Sequence, residues 1–226
     1  MAHRIALVGG TGPEGRGLGA RFALAGHHVI LGSRDAARAG AVADELNTLL
    51  ADAGRDVRVR GAANEAAVAD AGIAVIVVPY EAQRPTLEGL AGALAGKVVV
   101  DAVVPVRFER GARPVVVAEG SATEQAAAIL GDSIVIGAFH NLGAEALLTL
   151  DEPVDADVLV TGADADAKAL VMALAEQVAG VRAVDAGPLR FSRFVEGLTV
   201  LLIGINGRYR AHTAVRVTGL PAGGAS

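Results

Sequence analysis

Seven residues near the amino terminus, Gly9-Gly10-Thr11-Gly12-Pro13-Glu14-Gly15, follow an apolar run, Arg4–Val8, and lead into a helix-length segment, Gly15–Ala25. Gly10, Gly12 and Gly15 give the spacing G-x-G-x-x-G in a strand–turn–helix setting, which suits the binding of a dinucleotide. The first glycine permits the tight turn, the second lets main chain approach a pyrophosphate, and the third lets helix and strand pack closely. The phosphates would meet the unpaired amides and positive dipole of a helix N-terminus. Thr11 adds a hydroxyl donor, Pro13 needs no amide partner, and Glu14 completes the loop. A glycine turn that merely joins strand to helix is the competing reading, and the motif's place at the first strand disfavours it.

The end of the second apolar run bears on which dinucleotide. An NAD site puts an acid there, about 20 residues on, to accept from the ribose 2′-hydroxyl. Here the segment reads Leu31-Gly32-Ser33-Arg34, with a further arginine at Arg38. A 2′-phosphate needs a hydroxyl donor and a guanidinium that can bind it in a fork, so Ser33, Arg34 and Arg38 point to NADP. Asp35 follows at once and suits the first turn of the next helix instead. Surface arginines at a helix start are the bland alternative.

Ligands of such sheets lie outside the carboxyl ends of the strands. The segments after the fourth and fifth strands, Val78-Pro79-Tyr80-Glu81 and Ala102-Val103-Val104-Pro105, are therefore candidates to edge a nicotinamide, with Val78, Pro79 and Val104 apolar enough to exclude water. Ordinary proline turns would read the same way. Of the five histidines, His3, His27 and His28 flank strands far from the expected cleft. His140, in Phe139-His140-Asn141-Leu142, could donate to a substrate oxygen or serve as a satisfied structural residue. There is no HExxH, no G-x-S-x-G and no spaced His/Asp cluster, so neither a metal site nor a serine hydrolase is expected.

Strands and helices alternate behind these residues. After Arg4–Val8 and Gly15–Ala25 come a strand at His28–Leu31, a helix at Ala36–Leu50, a strand at Val57–Arg60, a short helix at Glu65–Asp70 and a strand at Ile73–Val78. A helix at Pro85–Leu94, its proline suited to the first turn, precedes a strand at Lys97–Asp101. Val103–Val117 holds prolines and a charged turn; then Thr123–Leu130 reads as helix and Ser133–Gly137 as strand. Asp157–Thr161, Asp166–Ala179 and Val181–Asp185 add strand, helix and strand, and Leu189–Arg208 a final helix. Continuous Val/Ile runs are what a parallel sheet covered on both faces demands. The expected fold is α/β: a doubly wound parallel-sheet Rossmann domain with a small C-terminal α/β domain. The expected units are an NADP-binding domain at residues 1–142 and a cleft-closing domain at residues 143–226. The last helix carries more apolar residues, among them Phe194, Leu198, Leu201 and Leu202, than one packed face needs. It therefore suits contact with the other domain or with a second subunit. Pro221–Ser226 reads as a tail.

Composition narrows the function classes. The chain has 226 residues, 52% of them hydrophobic and 20% charged, with mean hydropathy +0.45, which excludes intrinsic disorder. No apolar run approaches the roughly 20 residues of a membrane helix. The N-terminus lacks a signal peptide and cysteine is absent, so a cytoplasmic protein without disulfides is expected. Net charge of −5 and 3% aromatic content argue against nucleic-acid binding. From Gly187 onward five arginines face one acid, Glu196.

Taken together, Ala6-Leu7-Val8-Gly9-Gly10-Thr11-Gly12, Gly32-Ser33-Arg34, Asp185-Ala186-Gly187-Pro188-Leu189, Ser192-Arg193 and Val195-Glu196-Gly197-Leu198-Thr199 resemble the NADPH-dependent F420 reductases, also called F420:NADP oxidoreductases. The late block is the more specific signal. The resemblance implies reversible, direct hydride exchange between NADP(H) and the deazaflavin coenzyme F420, in a cleft between a Rossmann domain and a smaller one. It implies that Thr11, Ser33, Arg34 and Arg38 hold NADP. On the deazaflavin side it implies His140 and Thr199 as polar anchors and Leu142 as a packing wedge. The arginines of the C-terminal stretch could attract the phosphate and glutamyl tail of F420, and a dimer surface would explain them as well. Gly197 departs from the serine expected in archaeal relatives, as does the tail from Arg208-Tyr209-Arg210 onward. Two other readings keep the NADP site: a reductase of an imine or a metal chelate, and a non-enzymatic NADP(H) sensor. A homodimer is the expected assembly.

Overall fold

The structure, a computed structural model, describes residues 1–221. All but the first residue of the expected tail Pro221–Ser226 lies outside the described residues. The first half alternates strictly: β1 (Arg4–Val8), α1 (Pro13–Leu24), β2 (His28–Ser33), α2 (Ala36–Asp52), β3 (Val59–Ala63), α3 (Asn64–Ala69), β4 (Ile73–Ile76), α4 (Tyr80–Leu94) and β5 (Val98–Asp101). A hairpin of β6 (Val106–Phe108) and β7 (Ala112–Pro114) follows, then α5 (Ala122–Ile129), β8 (Ile134–Gly137) and a short α6 (Ala144–Leu148). The chain continues through β9 (Ala156–Gly162), α7 (Ala165–Glu176), β10 (Val181–Gly187) and a 3-10 turn at Leu189–Phe191 into α8 (Ser192–Tyr209).

One eight-stranded sheet runs β3-β2-β1-β4-β5-β8-β9-β10, parallel throughout except where β9 pairs antiparallel with β8. Its first six strands have the order of a doubly wound dinucleotide-binding sheet, and the chain reverses direction beside β1 and β4, where such sheets open a crevice. The antiparallel step takes the sheet across the 142/143 junction. Alternate residues of each strand face opposite layers. Ile5, Leu7, Val29 and Leu31 pack with Leu18, Phe22, Leu46 and Leu50 of α1 and α2, while Ala6, Val8, Ile30 and Ile76 pack with Leu87, Leu90 and Leu94 of α4.

Three departures from the sequence reading have local causes. The fourth helix starts at Tyr80, so Pro85 lies inside it rather than in its first turn. Pro79 stands at its N-cap and fixes the entry instead. The segment after Pro105 forms a hairpin, because Arg110 (φ 52°) and Gly111 (φ 125°) adopt left-handed backbone and turn the chain. Finally, a short helix absent from the sequence reading, α6, follows directly on the expected 142/143 junction. It is tied to α1 by the Arg21 side chain, which donates to the carbonyls of Ala146, Leu147, Thr149 and Glu152.

Candidate active site

The glycine loop is held by main chain. The Gly10 amide donates to the carbonyls of Leu7 (3.0 Å) and Gly32 (2.9 Å), which pins the loop between β1 and β2. A Cβ on Gly15 would strike the backbone of Gly10, so helix and loop meet here with no room for a side chain. On Gly12 a Cβ would meet nothing within 4 Å: its bare Cα faces the open cleft. Gly9 turns with φ 77°, and its amide donates to Asn64 Oδ1 at 3.2 Å. Asn64, the first residue of α3, thus braces the loop from a distant part of the sequence, and the motif gives no hint of it. This is the cradle expected for a pyrophosphate, with a rigid floor and an open face above the start of α1.

Toward the end of β2, Ser33 accepts the amide of Asp35 (3.2 Å), and Arg34 and Arg38 are exposed. Neither arginine makes an ion pair among the described residues. Asp35 is the N-cap of α2: its carboxylate accepts the amides of Ala37 (2.9 Å) and Arg38 (3.2 Å). It is thereby committed to the helix it starts, leaving a hydroxyl and two free cations at this end of the cleft.

The other end is organised by a buried polar cluster. Glu196 of α8 accepts the amides of Ala122 (2.9 Å) and Thr123 (3.0 Å), capping α5 from another helix, and the Thr123 hydroxyl lies 3.0 Å from the same carboxylate. That hydroxyl also lies 3.3 Å from Asp101 Oδ2 and 3.3 Å from His140 Nε2. Asp101 Oδ1 takes a hydrogen bond from Gln83 Nε2 (2.8 Å). Asp101, His140 and Glu196 bring one possible ligand atom each to within 4.8 Å of one another, so the fold assembles a His/acid cluster that sequence spacing conceals. Burial raises the Glu196 carboxyl to about 7, against the pull of its amide donors, and lowers His140 to about 3, so the imidazole is neutral. Burial first, and Glu196 beside it second, push Asp101 well above the usual carboxylate range. Two acids sharing one hydroxyl hydrogen cannot both be ionised cheaply in this surrounding.

A cleft of about 730 Å³ joins the two ends, within the range of small-molecule and cofactor sites. The expected residues Thr11, Gly12, Pro13, Glu14, Ser33, Arg34 and Arg38 line it, as do Val78, Pro79, Val104, His140, Leu142 and Thr199. Gly10 and Gly15 lie beneath the loop instead. His140 meets the cleft differently from expectation: its ring is wholly buried against Thr123, so what it offers the cleft is main chain. Thr199 donates to the Val195 carbonyl (3.2 Å). Gly197 is exposed, does not line the cleft, and has open space where a Cβ would stand. The sequence reading gave no role to Asn64 and Arg107, which also line the cleft, as does Tyr80 of the candidate segment after β4. Of the late arginines, Arg193 pairs with Glu124, and Arg216 with Asp155 and Asp157, so part of the C-terminal positive charge is neutralised internally.

Similarity to known proteins can be set on this geometry. The sequence profile of the family described as "NADP oxidoreductase coenzyme F420-dependent" matches residues 4–105. An F420-dependent NADP reductase of Methanothermobacter thermautotrophicus is 43% identical over 98% of this chain and 97% of that protein. One from Methanocaldococcus jannaschii is 38% identical over 96% of this chain and 99% of its own length. Among solved structures, a proposed F420-dependent NADP reductase from Arthrobacter sp. FB24 superposes with a TM-score of 0.79 at 26% identity, covering 93% of this chain and 96% of that one.

Proposed function

The chain belongs to the F420-dependent NADP reductase family, and from that premise we propose how its own residues carry out the family's reaction. It is an oxidoreductase that moves hydride reversibly between NADP(H) and coenzyme F420. The observation that carries this reading is the continuous cleft from the Ser33/Arg34/Arg38 end, over the Gly12 cradle, to Leu142 and Thr199. When bound, NADPH supplies the hydride and the deazaflavin accepts it, so the protein's contribution is orientation and exclusion of water.

In this reading Arg34 and Arg38 hold the 2′-phosphate in charge-assisted hydrogen bonds with Ser33 beside them, and Thr11 and the amides around Gly12 hold the pyrophosphate. Val78, Pro79 and Val104 form a dry edge for the nicotinamide. Leu142 sets the spacing between rings, and Thr199 and the His140 main chain offer polar contacts to the deazaflavin. The neutral, buried His140 ring and Glu196 keep the 139–143 segment in place against α5. Residues 1–142 thus hold NADP, and the opposite wall draws on both units, with His140 and Leu142 from the first and Thr199 from the second.

The test is loss of F420 absorbance with purified protein, NADPH and NADH being compared. Rapid loss with NADPH and little with NADH is expected. Tight NADPH binding without loss of absorbance would remove the deazaflavin half of the reading.

No helix among the described residues is long and apolar enough to cross a membrane, and we place the protein in the cytoplasm. We further assign a homodimer to the outer face of α8. Phe194, Leu198, Leu201 and Ile205 recur there at i, i+4, i+7 and i+11, with Phe194 66% and Leu201 59% exposed, an apolar stripe of the kind that pairs helices. Sedimentation should show a dimer that Leu201→Asp converts to monomer; a monomeric wild-type chain would overturn the assignment.

A further inference from the structure

One carboxyl group in the cleft takes no part in the scheme above. Glu14 is the second residue of α1, and its Oε1 is buried without any hydrogen-bond partner. The residue lines the cleft. Its direction can be read from its helix. Residues 14, 17 and 21 share one face of α1 (i, i+3, i+7). A Cβ on Gly17 would abut Leu147, and Arg21 donates to the carbonyls of Ala146 and Leu147, so that face lies against α6. Arg16 projects elsewhere, to Glu45 of α2 at 2.9 Å. Glu14 therefore stands at the end of the cleft where Leu142 leads into α6, away from the Ser33/Arg34 end.

Nothing nearby neutralises it. The ionisable groups on the elements around it are Arg16 and Arg21 of α1, Glu145 of α6 and His140 in the segment before α6. Arg21 is spent on carbonyls, Glu145 pairs with His212, and the His140 ring faces Thr123. Across the cleft stand Arg34, Arg38, Tyr80, Glu81 and Arg107, none in contact with Glu14 by hydrogen bond or ion pair among the described residues. Burial alone pushes the Glu14 carboxyl up to about 8.

We propose that Glu14 senses the oxidation state of the nicotinamide: it is a neutral acid beside the uncharged ring of NADPH and gives its proton to solvent when the positively charged ring of NADP⁺ binds. The proposal rests on the NADP reading of the cleft. The exchange balances, since bound NADP⁺ with a carboxylic acid becomes bound NADP⁺ with a carboxylate plus one proton in solvent, and no electrons move. An apolar side chain at this position would treat the two forms alike. Glu14 instead links their relative affinity to pH, and so biases the direction of the reaction.

Linkage fixes the signs. Near pH 7 a group titrating at about 8 is about nine-tenths protonated, so NADP⁺ should expel close to one proton more than NADPH does. The affinity ratio of NADP⁺ to NADPH should then rise with pH, by up to about tenfold per unit below pH 8, and level off above about pH 9. The 2′-phosphate cancels in this difference because both ligands carry it.

Isothermal titration of each ligand into the F420-free protein, in two buffers of different ionisation enthalpy, measures the protons directly. The proposal expects excess release with NADP⁺ in the wild type and its loss in Glu14→Gln, with NADPH affinity changed less than threefold. Binding of both ligands with equal proton release would overturn it and leave the NADP reading intact. An excess that persists in Glu14→Gln would assign the proton to another group and overturn it too. Failure of either ligand to bind would remove the NADP reading itself.

Discussion

The two walls of the cleft are built on different principles. The wall at residues 9–15 and 33–38 is largely main chain, held by the Gly10 and Gly9 amides and by close packing at Gly15. The wall opposite is backed by buried polar side chains from β5, α5, α8 and the segment after β8, gathered around the Thr123 hydroxyl behind the residues that line the cleft. A main-chain wall tolerates side-chain change until the change enters the ligand's space. A side-chain wall loses its order when one member goes. Substitutions in the first should therefore be felt mainly in binding, and those in the second mainly in stability.

The largest effect expected is at Glu196. Glu196→Ala leaves the Ala122 and Thr123 amides buried at the start of α5 without an acceptor, at a cost of about 3 kcal/mol. For a chain of this length that lowers the melting temperature by roughly 6–12 °C. A change of under 2 °C in calorimetry would mean that the two walls are not held differently.

Arg34 is the counterpart on the nucleotide side. Arg34→Ala removes a charge-assisted contact, worth about 1.5–3 kcal/mol or roughly 10- to 150-fold in affinity. KM for NADPH should rise by that factor while KM for F420 and the melting temperature stay close to wild type. Equal rises in both KM values would sink the 2′-phosphate role.

Two glycines sharpen the contrast within one loop. The methyl of Gly12→Ala points into open cleft, so the fold should be unaffected while NADP affinity falls about tenfold or more. The methyl of Gly15→Ala meets Gly10 main chain, so there stability should fall first, by about 2–3 kcal/mol. Ligand titration and thermal unfolding of both variants separate the cases. If Gly12→Ala proves the less stable protein, the open face is not where the ligand sits.

The same division decides what could be read from the sequence. β1, β2 and β4, the glycine loop and the Ser33–Arg38 end are legible because each is specified by neighbours: an apolar run, a spacing of glycines, a helix cap. Pro85 misleads because a proline marks a first turn only when nothing upstream starts the helix, and Pro79 already does. The β6–β7 hairpin is half legible: the charged turn ending in Gly111 is read, but its strands, three residues long, are too short to show a pattern. The cluster is the least legible part. Asp101, His140 and Glu196 lie 22, 17 and 73 residues from Thr123 in sequence, and only the tertiary packing of their elements brings them together. His140 is singled out by its place in the sequence and Thr199 by resemblance to a family, and neither signal says which way a side chain points.

A pH series tests the cluster most directly, because it tracks a proton rather than a contact. Glu196 titrates near 7 in the folded chain against an ordinary value of 4.5. Below pH 4.5 it is protonated in both states and the fold keeps its full advantage. As pH rises from 4.5 towards 7, the unfolded chain releases the proton and the folded chain retains it, so stability falls, by at most about 1.4 kcal/mol per pH unit for one group. Glu196→Gln cannot titrate, and it also relieves Asp101 of a neighbouring negative charge. Gln places an amide hydrogen against one of the two α5 donors, so the variant is less stable at every pH, and only the slope is diagnostic. Melting temperatures between pH 4.5 and 7.5 should fall more steeply for wild type than for Glu196→Gln. Glu14 contributes equally to both curves and drops out of the comparison. Parallel curves would mean that Glu196 is already ionised in the fold, with its charge held by the amides of α5, and that Asp101 alone keeps the buried proton.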